Sequence, residues 1–522
     1  MTDHVLSTAA TPRPLLTVLT AHSRRMWLQN LLLFSVCFTL LLLTMVPSIY
    51  TLDSAEFVIG SATLGFVHAP GYPLYLMVAH LFTLLPIGDV FFRVTLFTSL
   101  CLAATACVLY SLLLELLGNA LVALGAVLTF IWSYYVWMSG LFPEIYAPQL
   151  LTLALCTWLL TRIYRRQQRD LKTISVLGVL VGIAVATAPQ SAFLGLGLVV
   201  GLCLMRIPWR TCVFAAGISI ALFLLSLLYF PLRFQANPVF NALGIYDAAG
   251  MFHSPPLNTL DSIVQILRGT EFKRLFFAEG YLPAVDQLAA TFGWFWDNFL
   301  GIGLIAAVIG LGVMAVRHRG IFATWLVAFL PYTYFYTTYG ASDRETMFGP
   351  AYLLLAIAIA YGLAWLTQNV KKYRALYVLV LPLFLLVINF PLLNLNRETQ
   401  VRTTAEMLMS DLPQNADVLG DLYEIFPLQY LQIIEGWRSD VHLYPTFMFK
   451  GTLVAFVNSH YNALKPMSHR PVVLLEGAAE SGYLSSGGYR FSSLAVNAKI
   501  AALDQPIRGG YRVTPIYSWT AQ

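Results

Sequence analysis

Residues 26–75 read MWLQNLLLFSVCFTLLLLTMVPSIYTLDSAEFVIGSATLGFVHAPGYPLY. The first half, Met26 to Ile49, is apolar and long enough, at about 1.5 Å per residue, to cross a hydrocarbon core of about 30 Å. It is longer than the apolar region of a signal peptide and lacks an A-x-A-like cleavage site, so it reads as a first membrane span. The second half changes character at once. Asp53 and Glu56 stand three residues apart. His68-Ala-Pro-Gly-Tyr-Pro73 then packs two prolines and a glycine into six residues, which demands a turn.

A helix starting near Asp53 would put both carboxylates on one face. The plain structural reading is that Asp53 caps this helix and Glu56 completes its first turn. The plain reading of the turn is a rigid connector between two short surface helices. A competing functional reading arises because ionisable groups where a span meets the interface are costly and tend to mark sites.

Working outward, 58% of the 522 residues are hydrophobic and only 11% are charged, about half the charged fraction of soluble proteins. The fold class is a mainly α polytopic transmembrane helical bundle. Apolar runs predict about eleven spans, near 26–47, 93–117, 120–138, 148–164, 173–188, 191–206, 211–231, 299–316, 321–339, 349–367 and 375–393. The net charge of +5 comes from short basic segments between these runs, such as Arg162 to Lys172, Arg206 with Arg210, and Arg317 with Arg319. That is a topology signal rather than a nucleic-acid one, and it places these loops on the cytoplasmic side. The layout is a cytoplasmic segment 1–25, a membrane domain 26–393 with outer loops 48–92 and 232–298, and an extracytoplasmic tail 394–522. Alternating short apolar runs and a helix-like stretch at 425–437 make the tail a small α/β domain. The six cysteines lie in or beside apolar runs with no CxxC, so neither disulfides nor a zinc site is expected. No N-x-S/T sequon occurs, which fits a bacterial inner membrane.

Three further clusters fall on the outer side: Glu144 with Tyr146 between two spans, Arg233 with Asn237 at the mouth of another, and Asp343 with Arg344 between two later ones. Singly, each reads as an ordinary interfacial loop with snorkelling arginines. Together with the opening motif they form a set that a bundle can gather round one cavity. Arginines there would hold a phosphate, and carboxylates would take a proton from a hydroxyl. No GxxxxGK[ST], GxGxxG after a strand, HExxH or GxSxG competes. Gly178-xxx-Gly182 and Gly197-xxx-Gly201 read as helix-packing contacts.

An acid-bearing loop directly after span one resembles the GT-C superfamily of membrane glycosyltransferases. The run LDSAEF…TLGFVHAPGYPLY…LLPIGDVFFRVTLFTSL is more closely similar to the protein O-mannosyltransferase-like family, through D-S-x-E-F, H-x-P-G-Y-P-L-Y and Gly88-Asp89 with Arg93. The likeness continues at Glu144-Ile-Tyr146, Leu228 to Arg233 with Asn237-Pro238, Pro350 to Tyr352, and Gly420 to Gln432 with Glu435-Gly436. Ala69, the triplet Ala188-Pro189-Gln190 and Leu422-Tyr423-Glu424 depart from the family pattern. The resemblance implies a GT-C-like bundle with surface helices in the first outer loop. It implies transfer of a sugar, mannose as first guess, from a polyprenyl-phosphate donor to a protein Ser/Thr or glycan hydroxyl. Asp53 and Glu56 would be catalytic, with Asp53 the general base of an inverting reaction. His68, Tyr72, Glu144, Tyr146, Arg233, Asn237, Asp343 and Arg344 would bind substrate. No cofactor is required, though a divalent cation is compatible with the crowd of carboxylates. The alternatives are a lipid or glycan transporter or flippase, which would place ionisable groups in mid-span, and a scaffold that presents the tail to a partner.

Overall fold

The chain enters through α1 (Leu15–Thr44). Leu31, Leu32 and Leu43 stand exposed on one side, while Leu33, Cys37 and Leu41 are buried on the other, as expected of a helix between lipid and bundle. In this computed structural model residues 15–51, 53–277, 280–341, 343–369, 374–449, 451–453, 455–456, 472–475, 492–493, 506–507, 511–512 and 517–518 are described. The two short helices expected after the first span are α2 (Ser54–Thr63) and α3 (Pro73–Thr83). Next, α4 (Val90–Leu117) begins ahead of Arg93 because the Asp89 carboxylate accepts the Phe92 N–H at 2.7 Å. The span expected at 120–138 is instead broken into α5 (Ala120–Ile131) and α6 (Tyr134–Met138), since Ser133 is extended. Then come α7 (Tyr146–Arg166) and α8 (Leu171–Thr187), followed by α9 (Ala192–Leu204) after a tight turn at Pro189–Ser191. The pair α10 (Trp209–Leu227) and α11 (Tyr229–Gln235) closes the first half.

The second loop carries an antiparallel hairpin, β1 (Ile245–Tyr246) with β2 (Phe252–His253), and α12 (Leu260–Leu267). Next, α13 (Val285–Asn298) turns through 103° into α14 (Ile302–Arg317). Leu300 and Gly301 make the corner with φ values of 51° and 65°. The bundle is completed by α15 (Arg319–Thr338), the single turn α16 (Arg344–Met347), α17 (Gly349–Thr367) and α18 (Val380–Leu393). Among the described residues, five helices are long and apolar enough to span a membrane, or six if the bent pair counts as one. The difference from eleven lies in the shorter apolar helices α5, α8 and α9, which the spans near 120–138, 173–188 and 191–206 become, and in α7 and α15, expected near 148–164 and 321–339, which have 21 and 20 residues but are not apolar enough to count.

Small residues set the packing. A Cβ on Gly310 of α14 would lie 1.8 Å from the Ala358 carbonyl of α17, and one on Gly362 would lie 2.0 Å from the Ala306 carbonyl. Only glycine allows this backbone approach. Gly178 and Gly182 of α8 meet Ala215 and Ser219 of α10 in the same way. α17 is the central helix, with 83% of its apolar window buried against 17% for α10.

The tail begins with α19 (Gln400–Asp411) and β3 (Asp417–Gly420), then α20 (Leu422–Ile433) and β4 (His442–Pro445). β5 (Val472–Leu474) flanks β3 opposite β4, all parallel. Short strands β6 (Ser492–Ser493), β7 (Pro506–Ile507), β8 (Tyr511–Arg512) and β9 (Tyr517–Ser518) follow. The five-strand order is β4-β3-β5-β9-β6. Arg402 of α19 fastens this region to the bundle: it makes a bidentate pair with Glu435 at 2.8 Å and reaches Ser48 at 3.0 Å and Asp89 at 3.5 Å. Tyr430 adds a hydroxyl on the Phe91 N–H, and Phe426 an edge contact to Phe240.

Candidate active site

Asp53 occupies the N-cap position of α2 but its side chain makes no cap hydrogen bond. The carboxylate turns instead toward His68, with Oδ2 3.9 Å from Nε2. Glu56 does not serve the helix start either. Its Oε1 accepts the His68 backbone N–H at 2.6 Å and its Oε2 sits 2.7 Å from His68 Nδ1. The capping arrangement that the spacing suggested is therefore absent, and both acids are given to one histidine. Glu56 is sealed at 1% exposure, while Asp53 keeps 30% of its side chain open. Glu56, expected as a second catalytic acid, is thus buried with both oxygens engaged by His68.

The turn holds His68 where this pairing needs it. Gly71, at φ +86°, has no room for a Cβ, which would fall 2.7 Å from the Phe230 ring. Tyr72 follows at φ 41° and starts α3 with Pro73 behind it. Its ring packs edge-on against Phe57 and His68, with centroids 5.6 and 5.7 Å apart. Phe272, from the second outer loop, adds a second edge contact to the imidazole, with ring centroids 5.8 Å apart.

Three more segments bring acids to this place. Glu144 lies between α6 and α7, Asp343 precedes α16, and Asp421 caps α20. All are close enough to act on one another or on Asp53 electrostatically. Burial raises the Asp53 carboxyl from 3.8 to about 7; His68 opposes this, while Glu56, Asp343 and Asp421 add to it. Burial, with Asp53 and Asp343 next, also holds Glu144 well above the usual range. The Asp343 and Asp421 carboxyls are raised by burial too. Tyr146 stands among Asp343, Glu144 and Tyr72.

The expected arginines are arranged differently. Arg233 donates to the Leu64 carbonyl at 2.7 Å and the Thr63 carbonyl at 3.0 Å, so it serves the C-terminal end of α2. Arg344 donates to the Tyr339 carbonyl at 2.8 Å and stacks over Trp294 at 5.2 Å. Neither forms a salt bridge among the described residues. Asn237 is exposed in a left-handed turn after α11 and does not join the cluster. Asp421 and Phe272 were not among the expected site residues. The Gly420-Asp421 pair did appear in the family-like tail stretch, but nothing in the sequence shows that α20 packs against α2.

Asp53, Glu56 and His68 offer ligand atoms within 4.8 Å of one another. Since Glu56 already engages Nδ1, an ion here would be held by Asp53 and His68 Nε2, with Glu56 orienting the ring from behind.

The fold defines the class: a polytopic helical membrane protein with a GT-C-like bundle. Residues 53–235 of the chain match the family model described as the protein O-mannosyl-transferase TMEM260 N-terminal domain. Protein O-mannosyl-transferase TMEM260 of Mus musculus is 33% identical over 96 residues, covering 18% of this chain and 14% of the relative's own length. Among solved structures, ArnT from Cupriavidus metallidurans bound to undecaprenyl phosphate superposes with a TM-score of 0.57 at 12% identity, covering 91% of this chain and 96% of that one. The apo oligosaccharyltransferase of Archaeoglobus fulgidus gives 0.54 at 11% identity, covering 87% and 70%. These two likenesses show the fold.

Proposed function

We propose that the chain is a membrane glycosyltransferase that moves a sugar, mannose in the first instance, from a polyprenyl-phosphate donor to a hydroxyl on a protein or glycan at the extracytoplasmic face. One observation carries the reading. Asp53 leaves its helix cap unmade and stands at the open edge of a buried acid cluster, with a pKa raised to about 7. That value suits a general base working near neutral pH. The acceptor hydroxyl would attack the anomeric carbon while Asp53 takes its proton. The bond from that carbon to the phosphate oxygen breaks on the opposite side, and polyprenyl phosphate leaves with inversion. His68, fixed by Glu56, holds Asp53 in place. Tyr72, Glu144, Tyr146 and Asp343 form the sugar-facing wall, where paired acids and aromatic rings suit hydroxyls and ring faces. Arg344, beside Asp343, is the cation assigned to the leaving phosphate, and Arg233 is a scaffold residue. The TMEM260 likeness supports the reaction class, and the ArnT structure with undecaprenyl phosphate supports the donor class. The basic loops support a site on the outer face and suit a bacterial inner membrane.

The test is reconstitution in liposomes with labelled polyprenyl-phosphate mannose and a Ser/Thr-containing peptide. A new glycosidic bond of inverted configuration is expected. Label crossing the bilayer with no new bond would establish a transporter instead.

A further inference from the structure

The far end of the bundle, one helix length from Asp53, is built on the opposite chemistry. A cavity of about 260 Å³ lies between α7, α9, α15 and α17. Leu160, Leu198, Met205, Ile321, Trp325 and Leu354 supply its walls. Three of its polar side chains are already engaged: Thr157 donates to the Leu153 carbonyl, Thr324 to Gly320 and Trp325 to Leu354. A space of ~150 Å³ or more lined mainly by Leu, Ile and aromatic side chains accepts hydrocarbon. Along α15 the lining runs from Gly320 to Ala328, eight steps or about 12 Å. That is a little under half of a hydrocarbon core of about 30 Å, the depth of one leaflet.

Cations stand next to its lining in the chain. Tyr164 and Gly320 line the cavity, and Arg165, Arg317, His318 and Arg319 adjoin them in the chain. Arg166 is neutralised by Glu115 at 2.8 Å. Arg165 and Arg317 form no salt bridge among the described residues. Both lie near enough to His318 to add to burial in holding its imidazole below its ordinary range. Like charges drawn together without a counter-ion invite an anion.

We propose that this cavity binds an anionic glycerophospholipid of the adjoining leaflet, one acyl chain between α9 and α15 and its phosphate on Arg165 and Arg317. The length of the cavity favours a leaflet lipid over a polyprenyl chain, which would continue past Ala328. The site is separate from the acid cluster and does not rest on the reaction proposed for it.

Native mass spectrometry of the whole protein in detergent, titrated with phosphatidylglycerol or phosphatidylcholine, tests this. One retained phosphatidylglycerol is expected, preferred by roughly 30-fold for two engaged cations. Arg165→Gln with Arg317→Gln should abolish the preference, and Arg317→Lys on its own should keep most of it. Thr161→Trp, which fills the cavity, should lose both lipids. Equal retention of the two lipids by the unaltered protein would overturn the proposal. So would a preference that survives the double change, or a polyprenyl phosphate as the lipid that co-purifies.

Discussion

The same helices end in opposite environments. α7 starts at Tyr146 beside buried carboxylates and finishes at Arg166, and α15 runs the other way, from Arg319 to Thr338. At one end Asp53, Glu144, Asp343 and Asp421 come from four separate segments, and burial raises every one of their pKa values. At the other, Arg165 and Arg317 are exposed. Exposed cations at a membrane face cost little and orient the chain. Desolvated acids cost stability, and a fold keeps such groups where they do chemistry. The contrast favours the acid end as the working one proposed above, and that proposal can be attacked by substitution, pH and chelation.

The heaviest blow is Asp53→Asn. It keeps the shape and removes the base, so transfer should fall by about 10²–10⁴-fold. Thermal stability should hold or rise, because the variant no longer has a carboxylate to desolvate. A parallel loss of stability and transfer would make Asp53 a structural residue and erase the distinction between the two ends. Glu56→Gln comes next. The amide has one acceptor oxygen where the carboxylate had two, so an N–H of the amide would face His68 Nδ1 and force the other tautomer. Loss of such an orienting partner typically costs 10–100-fold. His68 and Asp53 would remain in place, so binding of a non-reacting donor analogue should change little. A variant with full transfer would show that the Glu56–His68 pair serves only packing.

Much of the fold is legible in the sequence. Helical membrane architecture follows from composition, and the D-x-x-E and H-x-P-G-Y-P runs point to the loop that carries the cluster. Spacing alone could not separate a capping acid from a freed one, because Asp53 and Glu56 occupy the same positions in either case. The partner that decides it, His68, lies twelve residues on. Arg233 was ambiguous for a related reason. A cation at a span mouth is equally suited to a phosphate or to a helix's last carbonyls, and for Arg233 the carbonyls of Thr63 and Leu64 prevail. Asp421 was hidden because its approach depends on the docking of α20 against α2, which the long-range clamp of Arg402 on Ser48, Asp89 and Glu435 secures.

The pH dependence sharpens the comparison further. With a folded pKa near 7 against an ordinary value of 3.8, Asp53 binds its proton more tightly in the native state. Its contribution to stability is therefore present below about pH 4 and is lost as pH rises toward 7. Catalysis needs the carboxylate and runs the other way, falling about tenfold per pH unit below 7. Opposed slopes in one window, measured by initial rates and by thermal melts of the same preparation, are the expected result. In Asp53→Asn the stability slope should flatten. An activity midpoint near pH 4 would mean that Asp53 is solvated like any surface acid.

The smallest expected effect belongs to chelation. A cation could neutralise the acid end and make it resemble its opposite, and Asp53, Glu56 and His68 lie close enough to supply one with ligands. Yet Glu56 and Nδ1 are committed to each other at 2.7 Å. That leaves Asp53 and one ring nitrogen, where a catalytic zinc takes three protein ligands. Two ligands make a weak site, so EDTA should change transfer by less than about twofold. An ion bound there would also favour the Asp53 carboxylate and pull its midpoint well below 7. A chelator that abolishes transfer, together with a midpoint that moves downward when manganese is restored, would place a resident cation in the cluster and reassign His68 from positioning the base to holding the metal.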